Sequence, residues 1–141
     1  NSGTPTSPVS NSLMAALPSD LRAVMQPVTK YTDNVANGSG NVQSNVNATT
    51  DYLFDLAEFE VFGTRYIANS YEQNYQLQYD YYKAGNSKVA YKHSAVSTAV
   101  WWGLRSPNYN NNNNFCNVNT DGSANSNGAW YAAALAPGFA V

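Results

Sequence analysis

Charge is what this sequence has least of. Lys and Arg total seven and Asp and Glu nine, so 11% of the 141 residues are charged, against roughly 25% in an ordinary soluble domain. A formal charge of −2 excludes electrostatic capture of nucleic acid as the default role. One cysteine, Cys116, and one histidine, His93, exclude an internal disulfide and a Cys/His zinc cluster. No apolar run approaches the roughly 20 residues that cross a bilayer as a helix, and the start lacks a charged segment followed by an apolar one. Neither membrane insertion nor a cofactor is expected. Leu, Ile, Val and Phe supply only 26 residues, a share that would suit a disordered chain if aromatics were scarce too.

They are not scarce. Eleven Tyr, five Phe and three Trp each remove about 150–250 Å² from water when buried, so the rings are the large pieces of a core. The polar surface comes from 20 Asn and 14 Ser instead of charge. The length is that of one domain. Residues 1–11, which open NSGTPTSPVS, have linker composition and are read as a linker from a longer parent protein, leaving 12–141 as the domain.

Ser12 to Val28 reads as two short helices, broken at Pro18, with Ser19 as the second N-cap and Pro27 as the stop. Asp33 to Thr50 reads as a polar loop. Its motifs Asn37-Gly38-Ser39 and Asn47-Ala48-Thr49 match a glycosylation sequon but carry little weight in so Asn-rich a chain. Tyr52 to Leu56 is expected as a buried strand and Ala57 to Phe62 as a short helix ended by Gly63. A strand passing directly into a helix indicates an α+β domain. Tyr66 to Tyr82 fits either a strand or a tyrosine-lined loop, 83–88 a turn, and Val89 to Tyr91 a short strand. Ala99 to Trp102 and Phe115 to Thr120 are expected strands; on the second, Phe115, Asn117 and Asn119 share one face and Cys116 and Val118 the other. Asp121-Gly122 predicts a type I′ hairpin returning antiparallel through Ser123 to Ser126. Gly138 to Val141 is expected as the strand that closes the sheet.

Residues 101–141 contain two charged side chains, Arg105 and Asp121, and 10 of the 20 Asn. Asn offers two donors and two acceptor lone pairs, and Tyr and Trp add rigid contact area with a polar tip, a mixture that binding surfaces use. The candidate ligand-binding set is Asn108, Tyr109, Asn110, Asn111, Asn112, Asn113, Asn114, Asn117, Asn119, Asn125, Asn127, Trp130 and Tyr131. The bland alternative is that Asn110 to Asn114 is an exposed loop without a partner. One of Trp101 and Trp102 is expected in the core. Arg105 either clamps a ligand carboxylate or holds the next loop through carbonyls or an acid such as Asp121. Cys116 is expected to be a buried, inert thiol and His93 a solvated loop residue. Asp51, Asp55, Glu58 and Glu60 could set two acids on one surface, but Asp55 and Glu58 start an expected helix, where negative charge is favourable for structural reasons, so no catalytic set emerges. A calcium site would need more carboxylates than Asp121 in the C-terminal third.

Trp101-Trp102-Gly103-Leu104-Arg105-Ser106-Pro107, Phe115-Cys116-Asn117-Val118-Asn119 with Asp121-Gly122, and Ala136-Pro137-Gly138-Phe139-Ala140-Val141 resemble the WWLRSP-type, C-type-lectin-like domain of the formylglycine-generating-enzyme subclass. That domain is common in phage and prophage proteins. Leu17 to Leu21, Pro27 to Lys30 and Tyr52 to Phe62 extend the resemblance over about residues 12–141. Gly103 departs from the pattern as an extra residue, expected to form a bulge. The resemblance implies a C-type-lectin-like fold with two N-terminal helices and a small antiparallel sheet closed by the C-terminal strand. It also implies a non-catalytic receptor-binding domain on a phage tail or fibre, at the virion surface or a bacterial cell exterior. Its partner would be a bacterial cell-surface glycan or protein, and a homo-oligomer, a trimer among the options, is expected. In variable proteins of diversity-generating retroelements, adenine mutagenesis varies Asn codons between fixed scaffold codons, and the Asn positions here are interleaved in that way. The relatives' oxidase chemistry needs a cysteine pair that this chain lacks. The alternative is a structural decoration or oligomerisation module.

Overall fold

A computed structural model describes residues 3–35, 38 and 40–141. Within them the chain is a small α+β domain of short helices and three separate antiparallel sheets. Helix α1 is Leu13–Ala16, capped by the Ser12 hydroxyl, which accepts from Ala15 N. Helix α2 is Ser19–Val24. Pro18 caps it, with its carbonyl accepting from Arg22 N, so Ser19 is the first helical residue and not the cap. Val28 already belongs to the first strand.

The expected loop between Asp33 and Thr50 is bounded by paired strands instead. β1 (Val28–Asp33) and β2 (Val46–Asp51) form an antiparallel sheet in which Lys30 faces Thr49 and Asp33 faces Val46. β2 buries Val46 alone, so it carries none of the apolar alternation by which strands are recognised. Asn37 and Ser39 of the first sequon lie outside the described residues.

Tyr52 to Leu56 is not a strand. It makes one bridge, Phe54 to Gly138, and then enters helix α3 (Glu58–Phe62), which Gly63 ends in the left-handed region at φ 66° as expected. The Tyr-rich segment is not a strand: it is a loop with exposed Tyr66, Tyr75 and Tyr79, interrupted by a 3₁₀ turn at Ser70–Asn74 and ending in helix α4 at Asp80–Lys83. β3 (Ala90–Lys92) and β4 (Ala95–Val100) make the second sheet.

The third sheet orders β5 (Trp102–Pro107), β6 (Asn114–Val118) and β7 (Ala124–Gly128). Trp101 interrupts the expected Ala99–Trp102 strand. Register between β5 and β6 slips after Gly103, and the displaced Arg105 N–H bonds Leu56 O at 2.9 Å. The β6–β7 connection is wider than a type I′ turn. Gly122 N–H donates to Asn119 O, and Asn119 N–H to Ser123 O, both at 2.9 Å. Gly122 has φ 86° while Asp121 does not have positive φ. The sheet is not closed by Gly138 to Val141. Single bridges join Gly138 to Phe54 and Ala140 to Gln26, tying the C-terminal residues to the segments before α3 and β1.

Val61, Ala68, Trp102, Leu104, Cys116 and Val118 form the apolar core under α3 and the third sheet. Beside it lies a buried polar junction. Glu58 accepts from the N–H groups of Tyr66, Ile67 and Ala68. Glu72 accepts from Asp33 N, Ser106 Oγ and Gln76 Nε2. Burial pushes the Glu72 carboxyl above its ordinary value, with those donors and Arg105 working against the rise.

Candidate functional site

The outer face of the third sheet carries the asparagines. Alternation along β6 and its register with β7 put Gly103, Asn117 and Asn125 in one cross-strand row and Phe115 and Asn127 in the next. The four amides are linked: Asn127 Nδ2 donates to Asn117 Oδ1 at 3.1 Å, and Asn117 Nδ2 and Asn125 Nδ2 both donate to Asn119 Oδ1 at 3.3 Å. Asn119 Nδ2 passes the chain to Ser123 Oγ, and Ser123 bonds Asp121, holding that exposed carboxyl below its ordinary value. Asn117 is 1% exposed, which is tolerable because both ends of its amide are paired. It is therefore part of the scaffold, not a displayed contact residue.

The 108–114 segment stands at the other end of the same sheet. Asn108 is fixed by Nδ2 to Ser126 Oγ and by an Oδ1 bond from Asn110 N. Asn111 Oδ1 accepts from Asn113 N, and Asn113 O accepts from Ala129 N at 2.8 Å. Tyr109 is an anchor between loops: its N–H reaches Ile67 O, its carbonyl accepts from Gly40 N, and its ring lies 4.4 Å under the Arg65 guanidinium. Asn110, Asn111, Asn112 and Asn113 are exposed, and Asn114 starts β6 opposite Gly128. Trp130 and Tyr131 follow directly, 70% and 59% exposed with ring centroids 5.8 Å apart. The Trp130 indole lies across Gly128, where a Cβ would come within 2.6 Å of it. The expected set thus separates into a loop-and-aromatic patch at the Asn114 end and an amide network running to the Asn119 end.

Two clefts open on this face. One, about 390 Å³, has Trp101, Phe115, Asn127, Tyr131 and Leu135 in its walls. The other, about 350 Å³, runs on past Asp33, Asp51 and Phe54. Asp55, Arg105 and Phe115 line both. The sequence favours a helix-start role for Asp55 over a paired acid, and core packing over ligand stacking for the Trp101–Trp102 pair; the signal that points to Phe115 is its place on the Asn117 face of β6. Trp102 is the core member of the pair, 2% exposed with its indole N–H on Lys88 O.

Arg105 pairs with Glu60, not Asp121. Nη1 lies 2.6 Å from Oε2 and Nη2 2.7 Å from Oε1, while Nη1 also reaches Asp55 O and Nε reaches Thr32 Oγ1. Lys30 Nζ adds a second contact to Glu60 at 3.1 Å. Burial alone would raise the Glu60 carboxyl, but Arg105, the Ala57 N–H and Lys30 outweigh it and hold it below its ordinary value. Cys116 is 1% exposed. Burial, with Glu58 and Glu72 nearby, pushes its thiol well up, so it is inert as expected. His93 is exposed.

Among the described residues no His, Cys, Asp and Glu group is arranged to hold a metal, and no helix is long and apolar enough to cross a membrane. No curated protein and no solved structure matches the chain. Residues 9–141 match the family model of DUF6273, a domain of unknown function, and the chain belongs to that family.

Proposed function

We propose that this is a non-catalytic ligand-binding domain whose contact surface is the Asn-rich loop and the adjoining Trp130–Tyr131 pair. The observation that carries the reading is the anchoring of that loop. Exposed amides at 110–113 are held from below by Asn108 on Ser126, Asn113 on Ala129 and Tyr109 under Arg65. Such a loop displays hydrogen-bonding groups at little cost in ordering on binding. Supporting it, the buried carboxylates of Asp33, Glu58, Glu60 and Glu72 are occupied by structural donors, and burial keeps the one thiol protonated.

The resemblance to C-type-lectin-like phage domains gives this surface a partner: a bacterial cell-surface glycan or protein, met from a phage tail or fibre or at a bacterial exterior. Weak single-site binding there would gain from multivalent display in a homo-oligomer. The test is attachment of labelled protein to host cells. Replacing Asn110, Asn111, Asn112, Asn113, Trp130 and Tyr131 with Ala while leaving the anchors intact should abolish attachment; unchanged attachment overturns the reading. A second reading, an oligomerisation or decoration module, is favoured by Tyr91 and Val96, 55% and 79% exposed on the β3–β4 sheet. Concentration-dependent light scattering that responds to Val96→Lys would support it.

A further inference from the structure

We infer that the trough formed by the two joined clefts takes a neutral pyranose unit, with Phe115 as its stacking face and Asp55 as its hydroxyl acceptor. This rests on the binding-domain reading and gives it a ligand class. Both clefts, about 390 and 350 Å³, have the roughly 300–1,000 Å³ size of small-ligand sites, which combine apolar walls with a few placed polar groups. Phe115 is 41% exposed at the point where they meet. Trp101 and Tyr131 add aromatic wall on one side and Phe54 on the other. A sugar ring has an apolar C–H face to lie on such rings and hydroxyls around its edge to donate.

The polar groups select among sugars. Arg105 spends four of its five N–H groups on Thr32, Asp55 O and the two oxygens of Glu60, so its charge is already matched. The Asp55 carboxylate is half-buried, lines both clefts and accepts no hydrogen bond among the described residues. Burial raises its carboxyl despite the nearby Arg105, the mark of a poorly solvated acceptor. With Asp33 and Asp51 further along the trough, an anionic sugar meets like charge, whereas a neutral one donates hydroxyls to Asp55 and bonds the Asn127 amide.

The experiment is two-dimensional NMR of the full chain, titrated separately with methyl β-glucoside, methyl β-galactoside, N-acetylglucosamine, glucuronic acid and glucosamine. At least one neutral sugar should shift the Trp101 indole N–H, the Phe115 backbone and the Asn127 side-chain amide, with glucuronic acid weaker by about ten-fold. Asp55→Asn and Phe115→Leu, which keep size and fold, should each weaken that binding about ten-fold. Shifts produced only by glucosamine, equal binding of glucuronic acid, or neutral-sugar shifts confined to 110–114 would each overturn the assignment. The cell-attachment assay separates the two levels. Wild-type protein that does not attach sinks the binding-domain reading; attachment that survives Phe115→Leu and Asp55→Asn unchanged sinks only the sugar trough.

Discussion

Arg105 and Glu60 show how a chain with so few charges uses them. Their two parallel hydrogen bonds join β5 to α3, and Nε reaches Thr32 on β1, so one side chain links three elements. Replacing Arg105 leaves buried Glu60 with only the Lys30 contact at 3.1 Å, so the cost falls toward the lower end of the about 3–5 kcal/mol of a broken buried pair. Arg105→Met is expected to lower stability by that order in urea unfolding, and Asp121→Asn, outside the pair, by far less. The buried carboxyls also set the pH response, with opposite signs. Glu60 is held below its ordinary value of 4.5, so its contribution is present above that value and is lost as pH falls through the depressed one. Glu72 is raised above 4.5, so its buried charge is a penalty at neutral pH, relieved as pH falls through the raised value. Stability should therefore rise on mild acidification and fall below about pH 4.5. Urea midpoints across that range check this, and Glu72→Gln should shrink the upper limb without touching the lower one, leaving the part that comes from Asp55, whose carboxyl burial also raises.

At the scale of elements, the β7 end of the sheet depends on an absent side chain. Gly128 lets the Trp130 indole cross the backbone where a Cβ would approach to 2.6 Å. The ring is mostly exposed and free to swing away, so Gly128→Ala should change stability by only about 0.5 kcal/mol. It should nevertheless alter Trp130 fluorescence and weaken attachment. The same elements show what could be read from residues alone. α3, with its Gly63 stop, the antiparallel return through 124–126 and the inward Cys116 and Val118 were legible because local signals and burial agreed. β2 was not, because one buried Val46 among exposed polar residues gives no period. Asn117 was misjudged for a different reason. It lies on the expected face of β6, but it is 1% exposed with its amide paired to Asn127 and Asn119, which alternation does not reveal.

For the whole molecule, three sheets of two or three strands make an unusual architecture, since an isolated two-stranded sheet is marginal in water. What unites the first and third is the polar junction of Lys30, Asp33, Glu60, Glu72, Arg105 and Ser106. The β3–β4 sheet joins through Ala90 packed on the core and Lys88 O on the Trp102 indole, and the C-terminal segment is bridged to the residues before β1 and α3. That segment gave the clearest disagreement with expectation: Gly138 to Val141 contains residues that suit a strand, yet it meets two different segments and finds no single partner to extend along. Gly138 exchanges both backbone bonds with Phe54, at 2.7 and 3.2 Å, and its bare Cα lies against the Phe54 ring, where a Cβ would approach to 2.6 Å. Phe54 in turn covers the Lys30 ammonium at 4.2 Å. Deleting residues 138–141 thus removes the two bridges and uncovers one edge of the polar junction. The β6–β7 ladder, 10 residues earlier at its nearest, keeps all its partners. Hydrogen exchange should therefore accelerate at Phe54 and Gln26 and stay slow at Cys116 and Val118, with a loss of about 1–3 kcal/mol in overall stability. Uniform acceleration across both regions would mean that the C-terminal segment holds the entire fold.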